Sequence, residues 1–325
     1  MLVPSGIHHV TAIASDPQRN IDFYAGVLGL RLVKRTVNFD DPTTYHFYFG
    51  DELGHPGSLL TFFPWPNAHR GRQGAGQAAV TSFAIVPSSV GFWLERLLKH
   101  GVDFDQPITR FDGERVIALK DPDGLLLELV SHQRVEQCEP AADLGAESQV
   151  QPAHAIRGVY SVTLWQDGHQ KTAELLTGSL GFRLVREQGS IFRYTSDDGR
   201  PGSIVDLRIV PGLWPGVMGS GTVHHVAFRA ADAPTQISVR EELESSGYNV
   251  TPVLDRDYFT SVYFREPGGV LFEVATDGPG FTVDEPAETL GRALSLPAWL
   301  EPRRFEIEAL LPNIHLPIDL PGPNA

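Results

Sequence analysis

One cysteine, Cys138, serves the whole 325-residue chain. That excludes an internal disulfide and a cysteine-rich zinc or iron–sulfur site within one chain, and it suits a reducing compartment. No apolar run approaches the roughly 18 residues that a membrane span needs. The opening MLVPSGIHHV lacks both the basic region and the apolar core of a secretion signal, so a cytoplasmic protein is expected. Positive charge is also scarce: 26 Lys and Arg against 40 Asp and Glu give a formal charge of −14. This balance disfavours nucleic acid and anionic membranes as partners. The glycine-rich GRQGAGQ (71–77) lacks the Lys-Ser/Thr of a phosphate loop, and a strand rather than a helix follows it. It reads as a mobile connection, with a lid as the functional alternative.

What the chain does have is repetition. IDFYAGVLGLRLVK (21–34) is answered by AELLTGSLGFRLVR (173–186), each a helical stretch ending near a glycine and then a strand. HPGSLLTFF (55–63) is answered by RPGSIVDLRIV (200–210). VTSFAIV, FWLERLLKHGVDF and PDGLLLEL correspond to HHVAFRA, SVREELESSGYNV and PGGVLFEV. Four α+β units of βαβββ pattern result, at roughly 7–64, 80–132, 156–210 and 222–275. The expected division is 1–132 for units 1 and 2, a linker at 133–155, 156–278 for units 3 and 4, and a tail at 279–325 packing on the body. RRFEIEALL in that tail predicts a short amphipathic helix.

Equivalent positions can be compared through all four units. His9 lies seven residues before Asp16, and His225 seven before Asp232; the same offset gives Tyr160 in unit 3 and, counted from Ser88, Thr81 in unit 2. Counting six from the proline of the last turn gives Glu273, Glu128, Phe62 and Leu207. If units 1 and 4 share one barrel, His9, His225 and Glu273 meet there, with Phe62 at the fourth corner. The other barrel receives Thr81, Glu128, Tyr160 and Leu207, which is no metal site. Two imidazoles and one carboxylate with open positions form the facial set of non-haem Fe(II) oxygenases, with Zn(II) and Mn(II) as competitors. A buried Glu inside VLFEVA demands a partner in any case.

At these residues the sequence resembles the vicinal oxygen chelate (glyoxalase/bleomycin resistance/dioxygenase) superfamily, and within it the ring-cleaving dioxygenases that act on hydroquinones. The matching stretches are GIHHVTAIASD, DFYAGVLGLRLVKRTVNFDDPTTYHFYFGD, GTVHHVAFRA and REPGGVLFEVATDGPGF. The resemblance implies four βαβββ modules paired into two open cupped β-barrels, Fe(II) at His9, His225 and Glu273, and O₂ as co-substrate. It implies extradiol-type cleavage of a small aromatic diol. The same set of ligands leaves two rival readings: a glyoxalase-type metal-dependent isomerase or thiol transferase, and a protein that binds or sequesters an aromatic compound. The fold is one that often self-associates, which leaves a homo-oligomer open.

Around the ligands, strand alternation puts Thr11 in the same cup as His9, where it can bond substrate or water. By the same rule His8 and His224 point away, whereas the resemblance places both beside the ligands, as a bulge would allow. Tyr263 aligns with Tyr48, both facing a barrel interior with His46 two residues before Tyr48, and the resemblance gives Tyr263 a site role. It also gives Arg256 the task of balancing a bound phenolate; the alternative is a loop ion pair with Asp255 or Asp257.

Overall fold

The computed structural model describes residues 3–111, 113–138 and 148–316. In unit 1, strand β1 (Ile7–Ala14) leads to α1 (Pro17–Ile21), whose Asp16 cap accepts a bond from the Arg19 N–H. A wider helical stretch, Asp22–Val27, continues α1, and β2 (Arg31–Asn38), β3 (Asp41–Gly50) and β4 (Leu59–Pro64) follow. Unit 2 has β5 (Gln77–Ile85), α2 (Val90–Lys99), β6 (Ile108–Arg110), β7 (Glu114–Lys120) and β8 (Leu126–Ser131). Unit 3 has β9 (Val159–Gln166), α3 (Gln170–Gly178), β10 (Arg183–Gln188), β11 (Ile191–Thr195) and β12 (Ile204–Ile209). Unit 4 has β13 (Thr222–Ala230), α4 (Ala233–Ser245), β14 (Leu254–Asp255), β15 (Thr260–Arg265) and β16 (Leu271–Thr276). The βαβββ pattern read from the repeats holds in all four.

Pairing is not by sequence neighbours throughout. Units 4 and 1 make one eight-stranded sheet, β14-β15-β16-β13-β1-β4-β3-β2, and units 3 and 2 the other, β10-β11-β12-β9-β5-β8-β7-β6. Each sheet has an antiparallel central seam, β1 with β13 and β5 with β9. The two curled sheets are the paired cups that the resemblance implied.

The sheets are joined where backbone meets backbone. The Ile7 N–H donates to Gly202 O at 2.7 Å and the Val159 N–H to Gly57 O at 2.8 Å. These bonds need Gly6 (φ +123°) and Gly158 (φ +93°): a Cβ there would stand 2.7 and 2.8 Å from those same carbonyls. The apolar core is the layer between helices and sheets. Phe62, fully buried, packs there against Tyr24 at 4.5 Å between ring centres. Such a side chain contributes about 1.5–3 kcal/mol by leaving water.

GRQGAGQ runs alongside the connection before β13, with bridges from Arg72 to Val217 and from Ala75 to Pro215. The tail carries the expected short helix, α5 (Arg304–Leu310), and returns to unit 1. There, buried Lys34 bonds Asp284 at 2.6 Å and also Glu285, and the Tyr45 hydroxyl donates to Pro312 O. Part of the expected linker (139–147) and of the tail (317–325) lies outside the described residues. Among the described residues no helix is long and apolar enough to cross a membrane.

Candidate metal centre

β16, β13 and β1 are neighbours in the first sheet, and they carry Glu273, His225 and His9. His9 Nε2 and His225 Nε2 lie 3.3 Å apart, and Glu273 Oε2 lies 3.4 Å from the first and 2.9 Å from the second. All three residues are buried, and they form the one cluster among the described residues whose donor atoms lie close enough together to hold a metal ion. Ligand bonds of about 2.0–2.2 Å at tetrahedral to octahedral angles leave donor atoms about 2.8–3.6 Å apart. The observed triangle has that size.

A second observation supports the fit. Glu273 Oε2 is buried with no hydrogen-bond partner, although Ser261 Oγ–H donates to the other oxygen, Oε1, at 2.5 Å. Burial alone would raise Glu273, but the facing His9 and His225 rings hold it well below the ordinary carboxylate range. In the alternative state, with both imidazoles neutral and protonated on Nδ1 as metal ligation requires, three buried acceptor atoms face one point with no proton between them. A divalent cation at that point removes the conflict.

The residue before each ligand histidine departs from simple alternation. The β1–β13 register shifts between Ile7 and His9, and again between Thr11 and Ala12, so that His8 and His224 are left unpaired opposite the other strand. Each is a bulge, and each turns its ring back toward the ligand. His8 Nδ1 lies 2.9 Å from His9 Nδ1, and His224 Nδ1 lies 2.7 Å from His225 Nδ1. The outward direction expected from alternation is thereby corrected. Burial, with the adjacent ligand ring next, pushes both His8 and His224 down to about 3. Neutral His8 can donate from Nε2 to Thr276 O (3.2 Å) and accept at Nδ1 from His9, which leaves His9 Nε2 as a lone pair toward the metal point.

Strand register corrects the fourth corner. Ala227 pairs with Glu273 two residues after His225, and Thr11 pairs with Thr61 two residues after His9. Thr61, not Phe62, therefore corresponds to Glu273. The Pro-Gly turn of unit 1 is one residue shorter than Pro-Gly-Gly of unit 4, so counting six from proline overshoots by one. Phe62 points into the helix-side core instead. The same slip affects the second sheet, where Asp206 replaces Leu207 because Thr163 pairs with Asp206. Ser161 and Val80 likewise replace Tyr160 and Thr81, since Tyr160 falls in a bulge like that of His8. Glu128 keeps its place. Arg110 and Arg193 occupy this cup with Glu114, Glu128 and Asp206.

A cavity of about 320 Å³ opens in front of the ligands, within the range of small-molecule sites. Phe39, Phe63, Trp65, Phe259 and Leu271 form apolar walls, and His46, Tyr48, His224, Arg256 and Tyr263 add polar groups. Tyr263 sits directly across from Glu273 in the β15–β16 register, and its ring centre is 5.7 Å from that of His225. Burial, then Glu273, raises its hydroxyl, so it keeps its proton. The Arg256 guanidinium lies 5.5 Å from the Tyr263 ring centre and 3.6 Å from Asp40, not on Asp255 or Asp257. Thr11 shares the face of His9, but its hydroxyl bonds Thr61 at 2.8 Å and it does not line the cavity. Sequence reasoning missed Ser261, Thr61, Asp40 and the aromatic walls. Ser261 and Thr61 were within reach, since they stand two residues from Tyr263 and at the register partner of Thr11.

The profile of the Glyoxalase/Bleomycin resistance protein/Dioxygenase superfamily matches residues 6–129 and 158–274, and the chain belongs to that superfamily. Among its relatives is MhqO of Bacillus subtilis (strain 168), placed by its name with the ring-cleaving dioxygenases. It is 49% identical over 308 residues, 94% of this chain and 96% of that protein. The chlorohydroquinone/hydroquinone 1,2-dioxygenase of Sphingobium indicum is 33% identical over 310 residues, 93% of this chain and 94% of that protein. A crystal structure of a Bacillus subtilis protein described as a dioxygenase superposes with a TM-score of 0.89 at 46% identity, covering 97% of this chain and 99% of the other. Glyoxalase I of Zea mays shares the fold, with a TM-score of 0.61 at 16% identity over 84% of this chain and 92% of that one.

Proposed function

We infer that the protein is an Fe(II)-dependent ring-cleaving dioxygenase acting on a hydroquinone-type aromatic diol. The observation that carries this reading is the buried His9–His225–Glu273 triangle opening onto an aromatic-walled cavity. Support for the substrate class comes from the Sphingobium indicum relative, whose name specifies chlorohydroquinone and hydroquinone. His9, His225 and Glu273 would hold the iron, with His8 and His224 fixing the two imidazoles. Ferrous iron supplies the electron exchange that lets an aromatic ring react with O₂.

The chain's own residues would do the rest. Phe63 and Trp65, 5.3 Å apart between ring centres and tilted 41° to one another, give an aromatic wall for a substrate ring. Arg256 sets a permanent positive charge beside Tyr263, suited to a substrate that binds as a phenolate. Tyr263 and His224 are the groups that would hold and return protons while the ring bond beside a hydroxyl-bearing carbon is cut. The apolar walls exclude bulk water.

The test is oxygen uptake by protein loaded anaerobically with Fe(II), offered a panel of hydroquinones and catechols, with His225→Ala as control. Uptake in step with loss of a hydroquinone ring is expected, and none in the variant. Uptake with catechols alone would discard the hydroquinone assignment. No uptake with iron shown to be bound would overturn the dioxygenase reading.

A further inference from the structure

Four polar side chains on the unit 1 side of the cup form an unbroken chain of hydrogen bonds. Thr11 Oγ1 is 2.8 Å from Thr61 Oγ1, Thr61 Oγ1 is 3.0 Å from His46 Nε2, and His46 Nδ1 is 3.0 Å from the Tyr48 hydroxyl. Thr11, Thr61 and Tyr48 are buried, and both His46 and Tyr48 face the cavity in front of His9 and His225. By register the chain fills the corner that Glu273 fills from unit 4: Tyr48 pairs with Thr61 as Tyr263 pairs with Glu273. His46 stands where unit 4 has Ser261. The ligand carboxylate is thus replaced by a hydroxyl and its serine donor by an imidazole.

Counting protons shows what this arrangement permits. Thr11, Thr61 and Tyr48 carry one O–H each and a neutral His46 one N–H, while the contacts use three of the four. The chain can run with Tyr48 donating to His46 Nδ1, His46 Nε2–H to Thr61 and Thr61 to Thr11. In that direction the Tyr48 oxygen is left free to accept from a group in the cavity. Burial, then the nearby His9 and His225, holds His46 well below the ordinary histidine range, so it enters the chain neutral with Nδ1 free to accept from Tyr48, and it takes a proton only as a phenolate forms beside it. Tyr263 is flanked instead by Glu273 opposite, Arg256 over its ring and Ser261.

We propose that Tyr48 and His46 form a second proton-handling pair, in which an aromatic hydroxyl of the substrate gives its proton to Tyr48 Oη as Tyr48 passes its own to His46 Nδ1. The pair rests on the dioxygenase reading, since it needs a phenolic group in the cavity. One substrate O–H breaks and one Tyr48 O–H forms; the former Tyr48 O–H breaks as the His46 Nδ1–H forms. The substrate is left as phenolate, Tyr48 unchanged and His46 as imidazolium, its Nε2–H donating to Thr61. No electrons are exchanged.

The experiment is anaerobic binding of hydroquinone to the iron-loaded full chain, with ionisation followed by the ultraviolet phenolate difference spectrum against pH. Wild type, Tyr48→Phe, His46→Gln and Thr61→Ser are compared, each with its iron content and melting temperature. Phenolate is expected at neutral pH in wild type and in Thr61→Ser, which keeps the hydroxyl. In Tyr48→Phe and His46→Gln its appearance moves up by about one pH unit or more. In oxygen, kcat of those two falls on the order of 10²-fold. Unchanged spectra and kcat in both iron-replete variants would overturn the proposal while wild-type turnover leaves the dioxygenase reading standing. A wild type that binds no hydroquinone and takes up no oxygen would overturn both.

Discussion

Arg110 holds Glu128 through two N–H···O bonds, Nη1 to Oε1 at 2.9 Å and Nη2 to Oε2 at 2.8 Å. Glu128 occupies in the second sheet the register position that Glu273 occupies in the first. One carboxylate is left with an unpartnered oxygen aimed at two imidazoles; the other has both oxygens taken by a guanidinium and a further bond from Ser82. A fork of N–H donors and a divalent cation compete for the same lone pairs, and in the second cup the fork has won.

Arg193 is central to that second cup, where it bonds Asp206 at 2.7 Å and also Glu114. All three are buried. Arg193→Met would strand Asp206, leaving Glu114 to Arg110 and Tyr160, and should lower stability by about 3–5 kcal/mol. Urea unfolding measures this, and iron stoichiometry should not change. A variant as stable as the parent would mean that the pairing is not needed to offset the buried charge.

For the metal centre, Glu273→Gln can still accept a bond from Ser261 but loses the anionic oxygen. It should not retain Fe(II) through gel filtration. His8→Phe keeps all three ligands and removes the partner of His9 Nδ1, so iron affinity should fall by about 10–100-fold in a chelator competition. Equal affinity would show that His8 does not orient the ligand.

Asp121 gives a pH signature away from the site. Burial, against bonds from the Leu125 and Asp123 N–H groups, pushes it up to about 6. Its native pKa is therefore above its unfolded value, and between about pH 4 and 6 the native state binds more protons than the unfolded. Stability from this group falls as pH rises through that window, by about 3 kcal/mol in all. Asp121→Asn retains an acceptor for the two N–H groups and should flatten the difference curve. Parallel urea midpoints for parent and variant from pH 4 to 7 would sink this assignment.

Lys34 fastens the tail. Its ammonium is wholly buried against Asp284 and Glu285 and lies 4.9 Å from the Tyr258 ring centre. Lys34→Met should destabilise the protein by about 3 kcal/mol and expose residues 281–316 to limited proteolysis. The tail also touches the cavity's mouth, since Trp299 packs edge-on against Phe39 at 6.0 Å. KM should therefore rise in this variant. An unchanged digestion pattern would place the anchor elsewhere.

Much of the fold and the ligand triangle could be read in the sequence because the repeats preserve helix ends, turns and strand pattern together. His9, His225 and Glu273 emerged from position alone. The fourth corner was misplaced because a turn shortened by one residue moves every later side chain to the other face of its strand. That single residue separates Phe62 from Thr61 and Leu207 from Asp206. The bulges at His8 and His224 have no local signature, since a bulge is a property of two strands in register. Asp40, Phe39 and Trp299 meet at the cavity only through the packing of unit 1 against unit 4 and the tail, which no window of sequence contains.

The order of strands has a consequence for synthesis. Units 2 and 3 leave the ribosome one after the other, and their sheet can close at once. Unit 1 must wait, its β1 edge unpaired, until unit 4 emerges. Since His9 lies in the first strand of unit 1 and Glu273 in the last strand of unit 4, the triangle forms only once all four units have been made. Metal retention would thus report that units 1 and 4 have both been made and have closed on one another.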